Sequence, residues 1–129
     1  MDEGLLVPVV HGAEKLGLVD LMLRLKDITE RAVGKKLTPQ DQEGSTFTIS
    51  NLGMYGVESF TSIINQPNSA ILSIAGTKEM PVVRNGEVVI RPIMKMSLTS
   101  DHRVINGLGA AKFMQELKAT LESPLPLLV

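Results

Sequence analysis

The chain has 129 residues, 43% hydrophobic and 21% charged, with a net charge of −1, a balance that fits one modest globular domain and gives no basic patch for nucleic acid or an anionic membrane. It contains no cysteine, which removes disulfides, thiolate metal sites and a cysteine nucleophile together. Its two histidines, His11 and His102, lie too far apart in sequence to suggest a metal site, and no run approaches the ~18 apolar residues of a membrane span.

The stretch "GLLVPVV", residues 4–10, is a short apolar run containing Pro8 and reads as a strand near a sheet edge. The "DEG" before it has the character of a hairpin turn. From Leu16 to about Val33 the spacing predicts a helix: Leu18, Leu21, Met22, Leu25, Ile28 and Ala32 share a face, and Asp20, Arg24, Asp27 and Arg31 face away. Gly34 is placed to stop it. "TPQDQEGS" is a polar connection with room for one helical turn.

"TFTIS", residues 46–50, alternates and is β-branched, as a strand requires. Gly53 and Gly56 follow in "NLGMYGVESF", where they suit a turn or bulge. "SAILSIAGTK" is a further apolar strand. "MPVVRNGEVVIRP" predicts two strands joined by a tight turn at Asn85-Gly86. "IMKMSLTS" alternates and leads directly to His102. A second amphipathic helix follows, with Ala110, Phe113, Met114, Leu117 and Leu121 on one stripe and Ser123-Pro124 at its end. This order predicts an α/β fold: a mixed sheet with helices packed on it, and no internal domain boundary. With no tryptophan, one tyrosine and three phenylalanines, the core falls to Leu, Ile, Val and Met; seven methionines and the ending "PLPLLV" point to adaptable apolar surface.

His102, in "DHRVIN", has two readings. It is a hydrogen-bonded loop histidine, or a base delivered by a rigid strand to a strand-to-helix junction. Ser50, ending a strand before Asn51, is a turn former or a hydroxyl donor to an oxyanion. No G-x-S-x-G surrounds it, and no phosphate-binding loop follows Gly53 and Gly56. His11, between a predicted strand and a helix, reads as a polar loop residue.

Taken together, "GLLVPVV", "GSTFTISNLGMYGVESFTSIINQPNSAIL" and "MSLTSDHRVINGLGAAKFMQELKATLESPLPLLV" resemble the dihydrolipoyl acyltransferase family, the core subunits of 2-oxo acid dehydrogenase complexes and relatives of chloramphenicol acetyltransferase. The resemblance implies a chloramphenicol acetyltransferase-like fold. Residues 1–129 then form a single partial catalytic domain, its C-terminal half, without lipoyl or subunit-binding domains. It implies that His102 is the general base that takes the proton of a CoA or dihydrolipoyl thiol. The resulting thiolate attacks the acyl thioester carried by the other, so neither a protein nucleophile nor a metal is needed. An imidazole titrates near neutrality and suits that task. Ser50 inherits the oxyanion donor's role, and Asn51 and Phe60 match positions lining the CoA channel.

The family usually has aspartate where Asn106 stands, holding the histidine loop through a charged contact, commonly with an arginine. Asparagine keeps the size and the hydrogen-bonding oxygen without the charge. The resemblance further implies a homo-oligomer, a trimer or a multiple of trimers, with Ser50 and His102 contributed from opposite sides of a subunit boundary. Other subunits of a 2-oxo acid dehydrogenase complex are implied partners. The implied location is the cytoplasm, or the mitochondrial matrix in a eukaryote. Two functions remain open: a CoA-dependent acyltransferase, and a core homologue that oligomerises without turnover.

Overall fold

The computed structural model describes residues 5–127, and these divide into two compact units. One comprises residues up to Thr46 together with those from Leu117 onward; the other comprises Phe47–Glu116.

In the first unit, helix α1 spans Leu18–Val33 and realises the predicted 3.6-residue periodicity. Ile28 is buried, Leu21 and Ala32 are half-buried, and Leu18, Met22 and Leu25 are exposed despite lying on the apolar side. The helix ends in a Schellman motif: Lys36 N–H donates to Arg31 C=O and Lys35 N–H to Ala32 C=O. The left-handed residue of that motif is Lys35, at φ 55°, while Gly34 keeps a negative φ of −75°. The glycine therefore sits one position ahead of the residue that needs its freedom.

Beyond the helix, Pro39–Asp41 makes one 3-10 turn. The Asp41 carboxylate accepts from the Thr38 N–H and Thr38 Oγ1, both at 2.8 Å, and from the Arg31 guanidinium, which also binds Asp27. The guanidinium and then the Thr38 donors hold the Asp41 carboxyl well below the usual carboxylate range. Residues 5–10 form no strand: their link to this turn is Val9 N–H to Asp41 C=O at 2.7 Å. Among the described residues no strand pairs with this apolar run, and Pro8 could donate nothing to a ladder. The turn expected at Asp2–Gly4 and the final residues Leu128 and Val129 lie outside the described residues.

In the second unit, β1 (Thr48–Asn51), β2 (Ala70–Arg84) and β3 (Glu87–Ser100) form a mixed sheet in that order, with β1 parallel and β3 antiparallel to β2. β2 is the middle strand, and its Ala70, Ile71, Leu72, Ser73 and Ala75 are buried. Two pairs of predicted short strands are in fact two long ones. Beyond Thr77 only β3 flanks β2, so each strand has an open edge where Pro81 or Pro92 forfeits no ladder bond. The turn is at Asn85 (φ 53°) and Gly86 (φ 84°), the pair of positive values that a tight I′ hairpin requires. On this ribbon Val83, Val88 and Ile90 are exposed, and they occupy one face by register. Helix α2 spans Gly107–Glu122, and its Phe113 ring meets Phe47 at a centroid separation of 5.9 Å. No helix among the described residues is long and apolar enough to cross a membrane.

Two stability experiments follow. The lowered pKa of the Asp41 carboxyl contributes stability that is present above the unfolded carboxyl value of about 4 and is lost as pH falls below it. Urea midpoints measured from pH 7 to pH 3 should therefore drop further for the wild type than for Asp41→Asn. Lys35→Gly should raise unfolding stability by about 1 kcal/mol, because glycine accepts the left-handed conformation without the Cβ penalty.

Candidate active site

The sheet register assigns each candidate residue its place. Ser50 is paired with Ser73, and Ser73 with Ser97, so three serines lie in one row across the sheet. Directly paired residues share a face, which puts all three side chains on the same side. Ser73 is almost wholly buried and its hydroxyl lies 2.7 Å from that of Ser62. The irregular passage from Val57 to Ser69, which carries half-buried Phe60, therefore crosses the Ser50 side of the sheet. Lys95 on β3 fastens the start of this passage through Glu58, at 2.8 Å, and its hydrogen bond lowers the pKa of that carboxyl.

Asn51 points to the opposite side, because strand residues alternate. Its side-chain oxygen accepts the Gly53 N–H at 2.9 Å and so turns the chain out of β1. It lines a cleft of about 430 Å³ with Gly53, Met54, Ile74, Thr77 and Met94. The cleft forms where β2 bulges between Ile74 and Thr77. Gly76 N–H donates there to Val57 C=O at 2.8 Å, and a Cβ on Gly76 would lie 3.1 Å from Gly53 O. Glycine at that position lets two backbones approach closely. Ser50 and Asn51, adjacent in sequence, thus serve different faces.

His102 stands beyond the end of β3 and is exposed. Asp101 continues the ladder, its N–H donating to Ser69 C=O at 2.8 Å. Its carbonyl then accepts from the amides of Val104 and Ile105, which closes a turn with His102 at its start. The Asp101 carboxylate takes the Arg103 backbone N–H at 3.0 Å and the Arg103 guanidinium through Nε and Nη2, the latter at 2.6 Å. These contacts, the guanidinium's first, bring the Asp101 carboxyl down to about 2. The sequence signal for this pair was present in "DHR", an acid and a base flanking the histidine two residues apart, but its geometry is decided by the turn.

Asn106 has a definite task. Its Oδ1 accepts the Gly109 N–H at 2.8 Å and its carbonyl accepts the Ala110 N–H, which makes it the N-cap of α2. The neighbouring Arg103 is paired with Asp101. Asparagine is among the favoured N-cap residues, but the cap at Asn106 is set by the fold.

The structure does not bring Ser50 and His102 together within one chain. Ser50 lies level with Ser73, whereas Asp101 lies level with Ser69 on the other side of β2. That is about 13 Å along the strands and two interstrand spacings of about 4.8 Å across them. His11 is elsewhere, in the first unit, with Nε2 3.0 Å from Gln40 O. The described residues hold no cluster of three His, Asp or Glu suited to a metal ion.

Comparison with known proteins gives this geometry its context. The family model for the 2-oxoacid dehydrogenases acyltransferase (catalytic domain) matches residues 1–129. The dihydrolipoyllysine-residue acetyltransferase component of the pyruvate dehydrogenase complex from Rickettsia felis is 38% identical over 129 residues, all of this chain and 31% of that protein. Among solved structures, the Azotobacter vinelandii dihydrolipoamide acetyltransferase superposes with a TM-score of 0.92 at 36% identity, covering 98% of this chain and 52% of that one. That work addressed the role of a serine, a histidine and an asparagine in the enzyme's catalytic mechanism. The cubic core of the pyruvate dehydrogenase multienzyme complex matches with a TM-score of 0.92 at 37% identity and the same two coverages. The chain therefore spans about half of these solved cores and under a third of the Rickettsia protein. The mixed sheet with helices read from the sequence is the fold of these cores, and the chain belongs to the 2-oxoacid dehydrogenase acyltransferase family, within its catalytic domain.

Proposed function

We propose that residues 1–129 act as part of an acyltransferase catalytic domain that moves an acyl group between CoA and a dihydrolipoyl thiol. One observation carries the assignment of roles. The serine, histidine and asparagine of the Azotobacter enzyme's mechanism stand at the same sequence intervals as Ser50, His102 and Asn106 here. In this reading His102 takes the proton from the attacking thiol, and the thiolate adds to the carbonyl of the acyl thioester. The Ser50 hydroxyl donates to the tetrahedral oxyanion. Collapse expels the second thiolate, which recovers the proton from His102. Phe60, on the Ser50 side of the sheet, and Asn51, at the cleft, are the residues proposed to contact CoA. No step calls for a metal.

The separation of Ser50 and His102 within one chain requires that a working site combine Ser50 of one copy with His102 of another. Exposed apolar residues on α1 and on the β2–β3 ribbon, Leu18, Met22, Val83, Val88 and Ile90 among them, supply surface for such association. A trimer, or an assembly of trimers within a 2-oxo acid dehydrogenase complex, is the arrangement proposed, in the compartment where that complex works. The same separation favours a second reading, a core homologue that assembles without turnover, and kinetics distinguish the two.

With acetyl-CoA and dihydrolipoamide as substrates, His102→Ala should abolish transfer, and Ser50→Ala should lower kcat roughly 10²–10³-fold. A wild-type rate no greater than that of His102→Ala, in a protein whose mass in solution is oligomeric, would establish the non-catalytic core instead. Asn106→Ala should cost about 1 kcal/mol in urea unfolding through the lost cap, whereas Asn106→Asp, an equally good cap, should leave stability unchanged.

A further inference from the structure

We propose that Asp101 is a positioning residue for His102, whose carboxylate closes the turn presenting the imidazole by binding Arg103 through both its backbone and its guanidinium. The role of His102 rests on the acyl-transfer reading above; the way its turn is held does not.

An exposed ion pair between flexible side chains orders little. This pair differs because its partners are two residues apart and His102 is the residue between them. Arg103 Nε lies 3.0 and 3.1 Å from the two Asp101 oxygens, Nη2 lies 2.6 Å from Oδ2, and the Arg103 backbone N–H reaches Oδ1 at 3.0 Å. Such a ring of contacts restricts the backbone of the enclosed residue as well as the two side chains that make it.

The anchor of the ring is rigid. Asp101 N–H is bonded to Ser69 at the head of the buried strand β2, and Asp101 C=O collects the Val104 and Ile105 amides. All three hydrogen-bonding groups of this one residue therefore define the turn. The Asp101 side chain is 23% exposed and that of Arg103 is 83% exposed, so the carboxylate is the inner member and the guanidinium the outer. On the far side, Asn106 fastens the segment to α2. The His102 side chain makes no hydrogen bond among the described residues, so the turn's backbone fixes where the imidazole leaves the chain. A base displaced by an ångström loses much of its rate, and the turn's rigidity is therefore a functional quantity.

The test compares the full-length wild type with Asp101→Ala and Asp101→Asn, by amide hydrogen exchange and ¹⁵N relaxation across residues 102–105 and by acyl-transfer kinetics. In Asp101→Ala the Arg103 amide should exchange about ten-fold faster or more, and the backbone at His102 should lose order. kcat should fall roughly ten- to hundred-fold while KM for CoA is unchanged. Asp101→Asn keeps an oxygen for the Arg103 amide and loses the charged fork, so both readouts should be intermediate; it also serves if the alanine variant fails to fold. Wild-type exchange and order in the turn of both variants would overturn the proposal. So would a loosened turn with undiminished kcat, or a fall in kcat that merely tracks the folded fraction. If the wild type has no turnover, the acyl-transfer reading fails and the exchange measurements still decide whether the carboxylate holds the turn.

Discussion

The registration of β2 between a parallel and an antiparallel neighbour is the constraint on which the candidate site depends. From Ile71 to Ile74 the strand pairs on both edges, and its buried side chains leave no freedom to slide, since a one-residue slip would turn Ser73 and Leu72 to the wrong faces. The parallel pairing of β1 obliges a crossover, and residues 52–69 supply it. That crossover brings Ser62 to Ser73 in the serine row. Where β1 ends, β2 bulges, and the Asn51 cleft opens at the bulge.

The loops around this sheet are organised by polar side chains that serve the backbone. Asp101 and Asp41, in different units, do the same work: each gathers a backbone N–H and an arginine and so fixes a tight turn. Asn51 and Asn106 act similarly without charge, one turning the chain out of β1 and the other starting α2. At Asn106 the same capping task is open to asparagine and aspartate alike. The cap needs an oxygen acceptor, which either side chain provides.

Much apolar surface stays uncovered within one chain. Few side chains are fully buried, Ile28 on α1 and a run on β2 among them, whereas leucines and methionines of the predicted helical stripe remain exposed. Amphipathic periodicity identified which face of α1 is apolar but carried no information about what covers it. Self-association is the proposed answer, and it agrees with the distance between Ser50 and His102.

Local chemistry was readable from the residues alone. The helical period of Leu18–Val33, the Asn85-Gly86 turn and the stop at Ser123-Pro124 each depend on side chains within a few positions of one another. Misreadings arose where a neighbour distant in sequence decides the outcome. Residues 5–10 have a strand's composition but pair with no strand among the described residues, and Pro81 and Pro92 lie inside long strands because their edges are open. At the end of α1 the glycine was legible, but the hydrogen bonds gave the left-handed position to Lys35. The sequence by itself determined the motifs that resemble the acyltransferase family, and with them which residues are proposed for acyl transfer, Ser50, His102 and Asn106, because residue type and spacing carry a motif. Only the tertiary structure decided that Ser50 and Asn51 face opposite ways, that Asn106 caps a helix, and that Ser50 and His102 stand apart. Strand register, which sets all of these distances, is a property of paired segments and is written in neither segment alone.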